Sequence, residues 1–389
     1  MSKVSVGTFT ANNKMRLLIN RALDAGRISY GPLCKELEAK FAGLHDCKFA
    51  VLSNSGTSSL QVALQSLKEI HGWKDGDEVL VPSITFVATV NIVLHNRMRP
   101  ILVDVDPQHY DMVPADAESA ITGRTRAMIP VHPFGQPADM GSLSCIKGLK
   151  VIEDSCEAMF VSHEDRKVGS WGDIGCFSMY VAHILTAGVG GISTTNNLEL
   201  AKKMRSLVNH GRDGIYISID DDNELEPDRL KEVIERRFSF ESIGHSFRIT
   251  ELEAALALGQ LDSWEHIISE RSKNAEYLTA QLKPLANRGW LQLPRVRRNS
   301  EGAWMMYPLI VLRGDKWDLC NYLEERSVET REMLRLTDQP AYTSLWNRQD
   351  YPVASWINKH GFYIGCHQGL NTNDLDRAIQ VFYDYFKKC

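Results

Sequence analysis

Between about residue 48 and residue 195, short β-rich runs alternate with helical ones, and this alternation constrains the fold more than any other feature of the chain. FAVLS (49–53) reads as a strand. The segment after it sets Leu60, Leu64, Leu67 and Ile70 on one helical face. EVLVPS, ILVDVD, AMIPVH and KVIEDS read as further strands, with a helix through TVNIVLHN. The alternation predicts an α/β fold with a mostly parallel central sheet. Thr250 and Glu253 then stand at capping-box spacing ahead of LEAALALGQL, and SERSKNAEYLTAQLKPL reads as a long amphipathic helix. The C-terminal part mixes strands such as MYPLIVL with helices, which predicts a smaller α+β domain. The expected division is 1–255 for a large domain with an N-terminal arm and 256–389 for the small one. The acidic run IDDDNELEPD at 219–228 reads as a solvated loop.

Composition narrows the functional classes. The 389 residues are 43% hydrophobic and 24% charged, which excludes disorder and a disulfide-stapled scaffold. With 44 basic and 49 acidic residues the net charge is −5, so neither nucleic acid nor an anionic membrane is an expected partner. No run approaches the ~20 apolar residues of a membrane helix. The segment MSKVSVGTFTANNK has no apolar core of a secretory signal, so a cytoplasmic location is expected. The eight cysteines include no C-x-x-C pair; free thiols are expected, and no metal site.

Three segments could carry chemistry. Ser53-Asn54-Ser55-Gly56-Thr57-Ser58 places small residues at a strand-to-helix turn, where free N–H groups suit a phosphate; an ordinary N-cap turn has the same pattern. Ile152-Glu153-Asp154-Ser155-Cys156-Glu157 ends a hydrophobic strand in carboxylates. A buried Asp154 there needs a cationic partner, unless it only caps a turn. Ser178, then His183, then Gly188-Val189-Gly190-Gly191 set a hydroxyl and an imidazole beside a glycine turn. A lone histidine in such a setting is more often structural.

Taken in order, these segments resemble the DegT/DnrJ/EryC1/StrS family, the sugar aminotransferases of pyridoxal-phosphate fold type I. The resemblance runs from Gly31-Pro32 to Gln260-Leu261 and weakens toward the C-terminus. It is carried by SNSGTSSL, VLVPSITFVATVNIVLHNRMRPILVDVD, VHPFGQPADM, VIEDSCEA and RITELEAALALGQL. It implies an aspartate-aminotransferase-like fold with 1–255 as the cofactor-binding domain, and pyridoxal or pyridoxamine 5′-phosphate as cofactor. By resemblance, Gly56, Thr57 and Ser178 hold the phosphate. Phe86 stacks on the ring, Asp154 pairs with the ring nitrogen, and Glu157 bonds the ring hydroxyl. Ser246 replaces a family asparagine that reaches a partner subunit's phosphate, and Arg248 and His367 are assigned to substrate. A homodimer is implied.

One departure redirects the functional expectation. Aminotransferases of the family carry a lysine where this chain has His183. A lysine amine links covalently to the cofactor and moves the proton, whereas imidazole moves the proton without making the link. The same replacement, with Asp154-Ser155-Cys156-Glu157 and Gly365-Cys366-His367-Gln368, is similar to the family's GDP-4-keto-6-deoxy-D-mannose 3-dehydratase branch. That branch's second histidine is Ile184 here, and the acidic residue usual before Gly-Gly is Val189. A related iron–sulfur dehydratase needs clustered cysteines, and none occurs between 177 and 319. The resemblance thus implies a 3-dehydratase of a nucleotide-linked 4-keto-6-deoxy sugar, with His183 as base and L-glutamate as amine donor. The alternatives are a sugar aminotransferase in which His183 only shuttles a proton, and a non-catalytic relative that binds cofactor or sugar nucleotide.

Overall fold

The computed structural model describes residues 3–214 and 225–388. Helices α1 (Asn13–Asp24) and α2 (Pro32–Leu44) precede β1 (Phe49–Ser53), α3 (Gly56–His71), β2 (Glu78–Pro82), α4 (Val87–His95) and β3 (Arg99–Val103). Then come α5 (Pro114–Ser119), β4 (Thr125–Met128), α6 (Met140–Leu143), β5 (Lys150–Asp154), a hairpin of β6 (Ser162–His163) and β7 (Arg166–Lys167), β8 (Ile174–Ser178), β9 (Gly191–Thr195) and α7 (Leu198–Val208). The remainder holds α8 (Pro227–Arg236), α9 (Glu251–Leu261), α10 (Trp264–Asn287), β10 (Leu291–Gln292), β11 (Tyr307–Val311), α11 (Lys316–Glu324), β12 (Thr330–Glu332), α12 (Pro352–His360), β13 (Gly361–Ile364) and α13 (Thr372–Phe386).

The main sheet has the order β1-β9-β8-β5-β4-β2-β3. All neighbours are parallel except at β9, which runs against both β1 and β8, so the expectation of a mostly parallel sheet holds. α3, α4 and α7 bury one face through Leu60, Leu64, Leu67, Ile92 and Met204. α2 and α9 cover the other through Phe41, Leu258 and Leu261, where they meet Leu52, Phe177 and Ile192. The helical stripe expected at 60–70 is this buried face of α3.

Local sequence fixes the ends of these helices. α9 starts with the anticipated box: the Glu253 carboxylate accepts the Thr250 N–H at 3.0 Å. Its neighbour Glu251, buried, caps a different helix by accepting N–H bonds from Gly31, Leu33 and Cys34 at 2.8, 2.9 and 2.9 Å. Gly31 has no side chain to cap α2, and a carboxylate at that positive end does so instead.

The second sheet, β10-β11-β13-β12, is antiparallel throughout and packs against α10, α11 and α13. The division expected after residue 255 falls inside α9, a continuous helix packed on α1 and α2, while the second sheet begins at Leu291. Of the acidic run, 219–224 lies outside the described residues. Its last two residues, Pro227 and Asp228, open α8 rather than extend a loop, because proline suits a first helical turn. Among the described residues no helix is long and apolar enough to cross a membrane.

Candidate active site

The parallel strands β1, β2, β5 and β8 end on one edge of the main sheet, and a cavity of about 1040 Å³ opens there. Gly56, Thr57, Phe86, Asp154, Glu157, Ser178 and His183 all line it. Seven of the ten residues expected at the site therefore meet in one place, as the rule that ligands bind beyond the carboxyl ends of parallel strands requires.

Gly56 and Thr57 are the first two residues of α3. Ser55 caps the helix by accepting the Ser58 N–H at 3.0 Å, which leaves the Gly56 and Thr57 N–H groups turned to the cavity end. A Cβ on Gly56 would sit 2.7 Å from Ser178 Cβ and 2.8 Å from Cys156 Sγ, so only glycine lets α3 approach the ends of β5 and β8 this closely. The second glycine pair serves the same turn: a Cβ on Gly191 would lie 2.1 Å from the Ser55 carbonyl oxygen. Ser178 adds a hydroxyl at the end of β8.

Asp154 is buried and bonded by the Thr89 hydroxyl at 2.8 Å and the Cys156 N–H at 3.3 Å. Burial pushes its carboxyl above the ordinary range, against those hydrogen bonds. No lysine or arginine forms an ion pair with it among the described residues. A buried carboxylate without a cation calls for one from a ligand. Phe86, at the start of α4, leaves 59% of its surface exposed inside the cavity, an apolar face with nothing on it. Glu157 accepts the Phe134 N–H at 2.6 Å, and burial raises its carboxyl to about 7. Phe134 holds this N–H from a left-handed conformation, φ 57°.

His183 lies in the turn after β8, with Nδ1 3.3 Å from the Ser178 carbonyl oxygen. That contact makes Nδ1 the protonated nitrogen and leaves Nε2 with a free lone pair. Burial lowers its pKa to about 4 against the opposing Ser178 hydrogen bond, with the positive charge of Arg271 a smaller contribution, so the ring is neutral at physiological pH. Among the described residues no lysine lines the cavity.

Three expected residues lie outside the cavity lining. His367, assigned to substrate by resemblance, does not line this cavity. Its ring is buried, with Nε2 3.2 Å from the Ser5 hydroxyl and Nδ1 accepting the Gly369 N–H at 3.1 Å. With both nitrogens engaged within the protein, it anchors the N-terminal segment, of which Val6, Gly7, Thr8 and Phe9 do line the cavity. Ser246 and Arg248 are exposed on this chain. Arg248 donates to Asn209 Oδ1 at 2.5 Å and to the Ser246 hydroxyl at 3.1 Å. The sequence reading missed Met305, Arg331, Arg335 and Tyr363, which the second sheet and its flanking loops bring to the cavity.

The geometry fits a pyridine phosphate: helix-end donors, an apolar face, and a buried carboxylate awaiting a cation. Residues 10–382 match the DegT/DnrJ/EryC1/StrS aminotransferase family, and the chain belongs to it. It is 30% identical over 387 residues to GDP-perosamine synthase of Caulobacter vibrioides, covering 97% of each chain. It is 28% identical to dTDP-4-dehydro-2,6-dideoxy-D-glucose 3-dehydratase of Saccharopolyspora spinosa, covering 95% of this chain and 84% of that one. Its fold superposes on Escherichia coli GDP-4-keto-6-deoxy-D-mannose-3-dehydratase with bound hydrated pyridoxal phosphate. The TM-score is 0.88 at 22% identity, over 98% of this chain and 99% of that one. The chain is thus a fold type I enzyme of a pyridoxal-phosphate-dependent family acting in nucleotide-sugar metabolism.

Proposed function

We propose that the protein is a pyridoxamine-phosphate-dependent 3-dehydratase of a nucleotide-linked 4-keto-6-deoxyhexose. The observation that carries this reading is a neutral histidine with a free Nε2 in a cofactor-shaped cavity that no lysine among the described residues lines. Without lysine the cofactor is held by non-covalent contacts alone.

When bound, the cofactor supplies an amine for the sugar's C4 ketone and a ring that accepts electrons. The residues divide the remaining work. Gly56, Thr57 and Ser178 bind the phosphate, Phe86 covers the ring face, and Asp154 keeps the ring nitrogen protonated. Glu157, held by the Phe134 N–H, would accept a hydrogen bond from the ring hydroxyl of the bound cofactor. His183 Nε2 takes the proton from the cofactor's C4′ carbon and, once protonated, gives a proton to the departing C3 hydroxyl. With its pKa lowered to about 4, the protonated imidazole is a stronger acid than free imidazolium and a good proton donor for that second step. The products are a 3-deoxy-4-keto sugar and ammonia, with L-glutamate as the donor that restores the amine. Such a reaction belongs to deoxysugar and surface-polysaccharide biosynthesis. The exposure of Ser246 and Arg248 supports a homodimer in which each chain lends them to its partner's cavity.

A second reading, transamination, is favoured by the 30% identity to a perosamine synthase. Mass spectrometry of the product separates the two. The protein is incubated with pyridoxamine phosphate, glutamate and a panel of nucleotide-linked 4-keto-6-deoxy sugars. Dehydration yields a sugar one oxygen lighter and free of added nitrogen. A product carrying an amino group would overturn the proposal.

A further inference from the structure

Arg271, on α10, is a fully buried cation with no carboxylate partner among the described residues. Its guanidinium donates to three backbone carbonyls: Nη1 to Trp304 at 3.1 Å and Met305 at 3.0 Å, and Nη2 to His183 at 3.2 Å. Trp304 and Met305 lead into β11 of the second sheet, and Met305 lines the cavity. His183 belongs to the turn after β8 of the main sheet. One side chain from a third element therefore ties together two walls of the cavity. The cost of burying an unpaired cation away from water makes a purely passive filler a poor explanation. A leucine or methionine would fill that space without it.

The surroundings strengthen the tie. Trp304 is itself in a left-handed conformation, φ 47°, and the Cys366 thiol donates to the same Trp304 carbonyl at 3.2 Å. Gly135 packs on this segment so closely that a Cβ would lie 2.5 Å from the Met305 nitrogen. The neighbouring Phe134 is the donor to Glu157. The segment that Arg271 grips thus abuts the loop that holds the second acid of the site.

We propose that Arg271 is a positioning residue for His183, fixing the backbone of its turn against the Trp304–Met305 segment so that the imidazole presents Nε2 to the cavity. This rests on the reading of His183 as the proton-transferring group. The two ends of the turn are tied elsewhere, by the Ala187 N–H to the Met179 carbonyl at 2.9 Å and by the Thr186 hydroxyl to Gln260 at 3.0 Å; at His183 itself the holds are Nδ1 on the Ser178 carbonyl, its N–H on the Tyr180 carbonyl at 2.9 Å, the edge-on Tyr180 ring at 5.9 Å, and Arg271 on its carbonyl. The one charged group that acts on the imidazole among the described residues is Arg271 from α10, bonded to the His183 carbonyl, and the Tyr180 ring of its own turn stands edge-on to it; Asp154, Glu157, Glu329, Arg331, Glu332 and Arg335 line the same cavity. Arg271 acts through charge as well as through its bond, because a buried cation next to the turn disfavours protonation of His183. The same field falls on His367, whose pKa is also lowered to about 4, with burial the larger cause and Arg271 the next.

The test uses cofactor-free protein with histidine labelled at Cε1 and the His183 resonance assigned by comparison with His183→Asn. Wild type, Arg271→Lys and Arg271→Met are titrated by NMR, and turnover is measured in parallel on loaded enzyme. In Arg271→Met the His183 titration should rise above about 4 while staying well short of the free-histidine value of about 6.5, because burial is the larger cause of the shift and remains. kcat should fall about tenfold or more with KM changed less than threefold. Arg271→Lys, which keeps the charge and one donor, should hold the titration low and recover most of kcat. An unmoved His183 titration in Arg271→Met, or in Arg271→Lys a kcat loss with His183 titrating as in wild type and KM rising equally, would overturn the proposal. Should Arg271→Met not fold, the lysine variant alone decides by whether it keeps the low titration and the turnover. Wild-type turnover by His183→Asn would instead strike at the base assignment. The NMR readout is unaffected by that outcome, so the two failures are distinguishable.

Discussion

His183 Nδ1 and the Ser178 carbonyl oxygen are 3.3 Å apart, and this contact across five residues sets which imidazole nitrogen can act on a ligand. Ser178 also lines the cavity, where the proposed function has it hold the cofactor's phosphate. The residue that binds the cofactor's phosphate in the proposed reaction thus orients the base that works at the other end of the same molecule.

The cofactor should be extractable. Borohydride treatment of loaded protein should leave no cofactor on any peptide, because no lysine among the described residues lines the cavity. A reduced lysine adduct in the peptide mass map would contradict this.

Gly56→Ala should weaken cofactor binding by at least tenfold and lower stability by about 1–3 kcal/mol, since the added methyl meets Ser178 and Cys156 inside contact distance. Cofactor titration and thermal unfolding measure the two effects. An alanine variant that binds normally would show that α3 can back away from β8.

Two groups with shifted pKa values should pull stability in opposite directions with pH. His45 is fully buried against Phe41, its Nδ1 2.9 Å from the Val168 carbonyl, and burial lowers its pKa to about 3. The unfolded chain binds that proton below about 6.5, so His45 subtracts stability as pH falls, by about 2 kcal/mol between pH 7 and pH 5. Glu157 has the opposite sign. Its folded carboxyl, raised to about 7, takes up a proton before the unfolded one does and adds stability over the same interval. His45→Gln should therefore gain on wild type by about 2 kcal/mol as pH drops from 7 to 5, and Glu157→Gln should lose on it. Urea unfolding of cofactor-free protein at the two pH values measures both. Parallel pH slopes for wild type and variants would refute the assignment.

Assembly should matter to the site. Sedimentation of loaded protein should show a dimer, and Arg248→Ala should weaken cofactor or substrate binding even though Arg248 lies outside its own chain's cavity. An active monomer would remove the basis for a shared site.

Much of the site was legible because its residues sit in short contiguous patterns at strand ends. A hydrophobic run that stops at Asp154, or a glycine at the first turn of α3, carries its meaning locally. What the sequence did not show depends on segments far apart in the chain. His367 was read as a ligand group because sequence does not show which way a ring turns, and Ser5, more than three hundred residues earlier, occupies it. Arg271 sits in an ordinary amphipathic helix pattern, and its three carbonyl partners come from two other segments. Met305, Arg331, Arg335 and Tyr363 reach the cavity only because the second sheet docks beside it. The division after residue 255 followed a change of pattern, whereas α9 continues the packing of the first layer.

The most direct test of the account is turnover by His183→Asn beside wild type, with solvent-deuterium exchange at the cofactor's C4′ carbon followed by NMR. The asparagine variant should bind pyridoxamine phosphate normally, yet exchange that proton and release 3-deoxy sugar about 10²–10⁴-fold more slowly. Exchange and dehydration at wild-type rates would show that His183 is not the base and would contradict the proposed function at its centre.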